Sequence, residues 1–359
     1  MQIETNQFHD RLLEALSDPE EQRLIEALAE ARAADIAELF DLLSDEQRSR
    51  IIFALPPHTA AEVVGLLDEA VRGEVVEDLD TALLTEIVSE LPPDDAADFL
   101  GQLSQEDADK ILEKLGEEQS DKIEELLEYD ESTAGGIMTP DVVAIPADRT
   151  VADAVQHVRE ASPQDDLNEV YIVERDGRLV GVVPLRRLVI SSPTTRLDSI
   201  CDRDPIFVRA EDDQETVVQV MRKYDAMNIA VVDAQERLLG RITHDDVLDV
   251  AEEEAEEDLF RMAGTDASEL DTTSVFQAAR IRLTWLLPCM GGMMLSASVL
   301  EFSKQQFDLV LFGSLVLFVP MIGAIGGNSG IQTATIIVRG FATGELASRR
   351  FGRSVTDVA

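Results

Sequence analysis

Hydrophobic positions in the first third of the chain follow a rule of twelve. Leu43, Leu55, Leu67, Leu79, Leu91, Leu103 and Leu115 are evenly spaced. Most of them precede a helix-starting pair, such as Ser44-Asp45, Pro56-Pro57, Asp80-Thr81, Pro92-Pro93 or Ser104-Gln105, and then some eight helix-forming residues. Ser or Asp at a cap and Pro in a first turn are start signals, so each unit predicts one short helix and a turn. Stacked units bury the leucine line and form a right-angled or superhelical array over residues 1–130. The outer face then carries the remaining side chains, many of them carboxylates: Glu62, Asp94, Asp95 and Asp98.

Beyond residue 130 the periodicity changes from helical to alternating. Two copies of a strand, helix, strand, strand pattern are expected. The first strands are Val142 to Ile145 and Pro205 to Val208, and amphipathic helices follow at Val151 to Glu160 and Glu215 to Tyr224. Second strands are expected at Val170 to Val173 and Ile229 to Val232, third strands at Arg178 to Val183 and Arg237 to Ile242, entered from turns at Arg175-Asp176-Gly177 and Asp233-Ala234-Gln235. This duplication resembles a tandem pair of cystathionine-beta-synthase (CBS) motifs within 131–250, with copies at about 138–192 and 200–250. The resemblance implies a pseudo-twofold unit with an adenine-nucleotide cleft. Its Ser/Thr-x-x-Asp signature is met by Thr243 and Asp246 in the second copy, whereas the first copy has Pro184-Leu185-Arg186-Arg187 there. The competing account is an ordinary helix cap in which Thr243 satisfies a free N–H.

The last segment changes again. Leu283 to Leu300 and Leu309 to Val338 contain no charged residue, long enough to span a bilayer as helices. Arg280 and Arg282 precede the first run, and Arg339, Arg349, Arg350 and Arg353 follow the second, so the positive-inside rule puts both flanks in the cytoplasm. The expectation is a multi-pass protein of the cytoplasmic membrane with its amino-terminal domains cytosolic.

Charge sharpens this division. The 359 residues carry a formal net charge of −42, but 68 acids and 24 bases lie up to Arg280, against 4 and 6 after it. A polyanionic cytosolic part repels nucleic acid and attracts cations. In the expected helix from Asp246 to Leu259, six of the eight residues from Ala251 to Asp258 are acidic, which opposes folding unless cations neutralise them. Cys201 and Cys289 belong to no C-x-x-C pair, and the charged start of the chain does not read as a signal peptide. His9, His58, His157 and His244 are scattered, and there is no phosphate-binding G-x-x-x-x-G-K-[ST] loop, so no enzyme is expected.

The order of these parts resembles the MgtE family of magnesium channels and transporters. Two further stretches carry the likeness: Thr133-Ala134-Gly135-Gly136-Ile137-Met138-Thr139-Pro140, and Pro320 followed by Gly326-Gly327-Asn328-Ser329-Gly330-Ile331-Gln332. The expected architecture is therefore multidomain: an all-α superhelical repeat domain (1–130), an α/β tandem CBS domain (131–250), an acidic connecting helix (251–280) and α-helical transmembrane segments (281–359). The resemblance implies a homodimer in a lipid bilayer, transporting magnesium under control of Mg2+ bound by the cytosolic domains, with ATP or another adenine nucleotide as a further ligand. Implied metal ligands are Glu62, Asp94 and Asp98 in the repeat, and Asp213, Glu215 and Asp225 in the second CBS copy. Asp246, Asp249, Glu254, Glu257 and Asp258 complete the set along the connecting helix. Pro320, Gly326, Gly327, Asn328, Gly330 and Gln332 form the implied pore signature. Asn328 and Gln332, four apart, share a helix face and offer neutral oxygens to a hydrated ion; packing between helices is the competing role. Ile331 stands where the family often has a second Asn. The family has five spans and a pore carboxylate on the last, which leads to the expectation that this chain alone passes no magnesium in loaded liposomes. The alternative is a membrane-tethered CBS regulator that senses metal or nucleotide.

Overall fold

The computed structural model describes residues 8, 11–16, 21–29, 31–67, 69–77, 79–161, 167–263 and 275–342. After helical residues at 11–16 come, among the described residues, nine short helices: α1 (Glu21–Ala29), α2 (Ala33–Ala37), α3 (Asp45–Ala54), α4 (Pro57–Gly65), α5 (Glu69–Glu77), α6 (Thr81–Glu90), α7 (Pro93–Gly101), α8 (Gln105–Leu112) and α9 (Glu117–Leu126). Their starts follow local chemistry. Ser44 and Gln47 form a capping box on α3, Asp80 accepts from the Ala82 and Leu83 amides, and Ser104 accepts from the Asp107 amide. Pro57 and Pro93 occupy first-turn positions, where a missing N–H costs nothing.

The leucines of the twelve-residue repeat lie at the joints. Leu55 and Leu91 are extended residues directly after α3 and α6, and Leu43, Leu55, Leu67, Leu79 and Leu91 are buried; Leu103 and Leu115 are half-buried. Packing skips one unit: α1 meets α3, α2 meets α4, α3 meets α5, α4 meets α6, α6 meets α8 and α7 meets α9. Alternate helices therefore stack, and each joint leucine turns the chain from one stack to the other. Arg48, a buried cation inside this array, ties α3 to α5 through Glu74 and donates from Nε to the Phe40 carbonyl at 2.8 Å. Both partners are needed to keep such a charge out of water.

The CBS pair consists of two three-stranded sheets of the same design. In the first, β1 (Ala144–Pro146) runs parallel to β2 (Glu169–Val173), which is antiparallel to β3 (Leu179–Pro184); α10 (Val151–Ala161) follows β1, and α11 (Leu185–Ile190) follows β3. The second repeats this with β4 (Phe207–Arg209), α12 (Gln214–Tyr224), β5 (Asn228–Val232) and β6 (Leu238–Thr243). Apolar residues of β1, β2, β3 and α10, among them Ile145, Val170, Ile172, Val183 and Ala154, make the core of the first copy. The first strands begin two residues later than the sequence suggests. Val142 is held in a tight turn by its amide bond to the Pro140 carbonyl, and Pro205 has no N–H to give a ladder.

Reciprocal backbone bonds join the copies. The segment before β1 pairs with β6 of the second copy, Thr139 and Arg241 exchanging both amide bonds at 2.8 and 2.9 Å. The segment before β4 pairs in turn with β3 of the first copy, where Val182 and Asp202 do the same at 3.0 and 2.8 Å. Arg178 bridges its own counterpart Arg237, flanked by amide bonds from Leu179 to Glu236 and from Leu238 to Gly177. A residue that pairs with its own equivalent marks a local twofold axis. The turns at this axis require positive φ, met by Gly177 at 86° and, in the second copy, by Glu236 at 62°.

After β6 comes α13 (His244–Ala263), longer at both ends than the expected acidic helix. The apolar segment forms α14 (Val275–Lys304), α15 (Leu309–Val316) and α16 (Val319–Ala342). Two stretches, Arg282–Lys304 and Val310–Ile337, are long and apolar enough to cross a membrane. The second is not one unbroken helix as its uncharged length suggests. It breaks between Val316 and Val319 because Pro320 cannot donate to a carbonyl four residues back and its ring crowds that position. Pro320 thus begins a helix rather than kinking one, while Pro288 lies inside α14.

Gly181 and Gly240 occupy equivalent places where the exchanged segments cross. A Cβ on Gly181 would collide with the Asp202 carbonyl, and one on Gly240 would stand 2.5 Å from the Thr139 carbonyl. Both neighbours are backbone and cannot step aside, so Gly181→Ala or Gly240→Ala should destabilise the CBS pair by about 1–3 kcal/mol. The control Gly73→Ala, with open space around its Cβ, should not. Urea unfolding followed by circular dichroism reads the difference.

Candidate functional site

The first turn of α7 directs carboxylates toward the junction of the helical array and the CBS pair. Asp94 and Asp95 are half-buried, and one Asp94 oxygen, Oδ1, is enclosed. One turn later, Asp98 has its carboxyl pushed up to about 7, first by burial and then by the charges of Asp95, Glu131 and Asp246, with Arg72 pulling the other way. Over a third of Asp98 still touches solvent, which screens part of this repulsion; the upward direction is what the site imposes. Glu131 reaches in alongside Gly101, where an added Cβ would lie 3.0 Å from its Oε1. Asp95 and Glu131 were not among the expected ligands. Glu131 sits two residues before the Thr133-Ala134-Gly135-Gly136 motif, whose amides bond the second CBS copy (Ala134 to Asp212, Gly135 to Ala210), and only that docking brings it to α7.

The other expected ligands are more dispersed. Glu62 is exposed on α4 beside His58. Asp213 caps α12 by accepting from the Glu215 amide at 2.9 Å, and Glu215 lies in that helix's first turn, where the positive end of the helix favours a carboxylate. Asp225 follows the end of α12 with φ 51°, a left-handed position that Asp tolerates better than most residues. Thr243 and Asp246 form a closed pair at the start of α13: the Thr243 amide donates to Asp246 Oδ2 at 3.2 Å, and its hydroxyl donates to the same oxygen. At 100° per residue, Asp246, Asp249 and Glu257 fall within one stripe of α13, with Glu254 at its edge. The Asp258 side chain lies outside the described residues. Among the described residues, no three His, Cys, Asp or Glu side chains converge on a metal-holding position. What the structure gathers is a like-charged group, Asp94, Asp95, Asp98, Glu131 and Asp246, beside one arginine.

The nucleotide signature keeps its asymmetry in three dimensions. Pro184 starts α11 with no side-chain cap, and Arg187 donates to the Ile200 carbonyl at 2.6 Å. Between the copies, Tyr171 and Thr139 are buried, and burial together with the Glu169 charge pushes the Tyr171 phenol well up. Pro320, Gly326, Gly327, Asn328, Gly330 and Gln332 all lie on α16 and are exposed, with open space where each glycine's Cβ would be.

A helical array carrying acids toward a CBS pair, followed by helices long and apolar enough to cross a membrane, defines the class: a CBS protein with an anionic helical domain and an apolar helical segment. The pattern described as the MgtE intracellular N domain matches residues 31–132, and the CBS domain matches 134–192 and 197–253. The chain is 36% identical over 228 residues to the magnesium transporter MgtE of Thermus thermophilus, covering 63% of this chain and 50% of that one. It is 34% identical over 230 residues to the MgtE of Enterococcus faecalis, again covering 50% of that protein. Among solved structures, the cytosolic domain of the Mg2+ channel MgtE in complex with ATP is 36% identical and superposes with a TM-score of 0.64. That match covers 67% of this chain and 98% of that domain. The chain belongs to the MgtE family. It spans about half the length of the curated relatives it matches.

The raised Asp98 carboxyl gives a pH dependence of definite sign. Asp98 holds its proton more tightly folded than unfolded, so its contribution favours the folded state fully below the ordinary carboxylate range, near pH 4, and is lost as pH rises through about 7. With divalent ions chelated, thermal unfolding should occur at a lower temperature at pH 8 than at pH 6. Asp98→Asn should flatten this difference and raise the melting temperature at pH 8 by a few degrees, measured by differential scanning fluorimetry.

Proposed function

We propose that this chain senses cytosolic magnesium for magnesium transport across the cytoplasmic membrane, with Mg2+ bound between carboxylates of the helical array and the CBS pair as the signal. The observation that carries the reading is Asp98, held among Asp95, Glu131 and Asp246 with its carboxyl driven upward. Like charges brought together by folding cost free energy, and a divalent cation with oxygen ligands turns that repulsion into attraction. Magnesium retains much of its water, so it needs only one or two carboxylates directly and can reach the others through bound water. Asp94, Asp98 and Asp246 are the first candidates; Glu62, Asp213, Glu215, Asp225, Asp249, Glu254, Glu257 and Asp258 are further ones.

The route to the membrane is covalent. Asp246 belongs to the acidic group and to the first turn of α13, so neutralising the group acts directly on the helix that leads toward the apolar segment. Along α16, Asn328 and Gln332 are proposed to offer their oxygens to the hydrated ion. The names of the relatives, magnesium transporters, support this assignment. ATP, bound by the solved relative, is proposed as the ligand of the CBS pair, with Thr243 and Asp246 as the expected contacts because the first copy lacks both groups. A homodimer in the bilayer is the proposed assembly.

Limited proteolysis of the full chain in detergent, with magnesium titrated from micromolar to tens of millimolar at constant ionic strength, tests the sensor. Progressive protection is expected, with its midpoint moved to roughly tenfold higher magnesium by Asp98→Asn. Cleavage that does not change across the titration overturns the reading.

A further inference from the structure

One histidine in the helical array faces carboxylates with both ring nitrogens. His58 Nε2 lies 3.4 Å from Glu62 Oε1 one turn along α4, and His58 Nδ1 lies 3.7 Å from Glu90 Oε2 at the end of α6, the helix on which α4 packs. All three side chains are open to solvent, and the neighbourhood belongs to a strongly anionic segment that concentrates cations.

We propose that His58 and Glu62 chelate a borderline divalent ion such as Zn2+ or Co2+, with Glu90 orienting the imidazole from behind. Two donors each roughly 2.1 Å from a tetrahedral ion stand about 3.4 Å apart, the separation seen between Nε2 and Oε1. An (i, i+4) pair on one helix presents both donors on the same face, so little reorganisation is needed. The opposite nitrogen, Nδ1, lies 3.7 Å from Glu90 Oε2, so a small rotation of either side chain on metal binding would bring the two within hydrogen-bond reach and complete a carboxylate–histidine–metal arrangement. Water completes the coordination, consistent with two donors rather than three converging here.

Ion type follows from the donor set. Imidazole suits zinc, cobalt and nickel, whereas magnesium is bound through oxygen. The site therefore admits ions that the all-carboxylate group at α7 does not distinguish by ligand type. It shares Glu62 with the proposed magnesium ligands but does not rest on the sensor reading, which can fail without affecting it.

Zn2+ titrated calorimetrically into the full chain in detergent, with about 10 mM Mg2+ present throughout to occupy carboxylate-only positions, tests the proposal. One zinc per chain is expected. His58→Gln and Glu62→Gln should each weaken it by at least about tenfold, Glu90→Gln by roughly tenfold, and His157→Gln should leave it unchanged. Co2+ in place of zinc should show a shift of its visible d–d band on binding, as an imidazole nitrogen replaces water, and the shift should be lost in His58→Gln. Zinc binding that is unaltered in His58→Gln, or that is abolished by His157→Gln instead, overturns the site; so does stoichiometric displacement of zinc by magnesium. Circular dichroism of each variant separates loss of a ligand from loss of fold.

Discussion

Electrostatic repulsion among carboxylates is the constraint on which the cytosolic half depends. A chain with 72 acids and 30 bases pays for compactness with self-repulsion unless acids are spread, capped or paired. Several are handled locally. Asp80, Asp130, Asp153, Asp213 and Asp246 accept hydrogen bonds from nearby amides or hydroxyls, and at Asp130 and Asp153 these hold the carboxyl below its ordinary range. The α7 group is different in kind. Asp98 is raised rather than lowered, because its surroundings supply burial and further negative charge in place of donors. Burial and added negative charge thus set this group apart from the locally capped acids.

The CBS pair provides the rigid frame that makes such repulsion effective. Exchange of backbone bonds at Thr139 with Arg241 and at Val182 with Asp202 means neither copy closes its sheet without the other. The segment that makes the first exchange also carries Ser132, Thr133 and Ala134 onto the start of α12, with Gln214 donating to the Ser132 carbonyl and Ala134 donating to Asp212. Glu131 is therefore fixed by covalent adjacency to a backbone lattice, and Asp246 by its place at the end of β6. Charges mounted on mobile loops could relax apart. Glu131 and Asp246 stand on backbone held by hydrogen bonds, and the proposed sensing draws on the interaction energy this preserves.

Legibility in the sequence followed the range of the interaction involved. The twelve-residue leucine line announced the helical array because each unit is set by its own cap and joint; the duplicated strand pattern announced the CBS pair for the same reason, and its later strands fall within one residue of their expected positions. Packing of each helix on its second neighbour was not legible, since a repeat states what each unit buries but not which unit lies against it. Nothing local in the sequence distinguishes Arg48 from other arginines; its burial depends on Glu74 and the Phe40 carbonyl, the one distant in the chain and the other set by the turn before α3. Asp94 and Asp98 could be singled out by resemblance, and Asp95 is their neighbour on the same helix, but Glu131 joins them only through contacts across more than thirty residues of chain. The uncharged run from Leu309 to Val338 shows no interruption of its own; Pro320 allowed for a kink there, and the structure makes it a full break with a new helix from Val319.

Capping and ion sensing need not compete for the same acid. Asp246 accepts both the amide and the hydroxyl of Thr243 at Oδ2, which orients the carboxylate while its charge still acts on Asp98. A side chain already oriented in this way loses less freedom on meeting a ligand than a free one does, so capping is compatible with the proposed sensing role. The same logic separates the two copies. The first has Pro184 and Arg187 at the equivalent turn, with no carboxylate to orient and Arg187 already committed to the Ile200 carbonyl. Divergence of the two turns within a shared backbone frame confines this carboxylate chemistry to the copy that leads into α13, the end of the pair from which a change in charge reaches the membrane segment by the shortest covalent path.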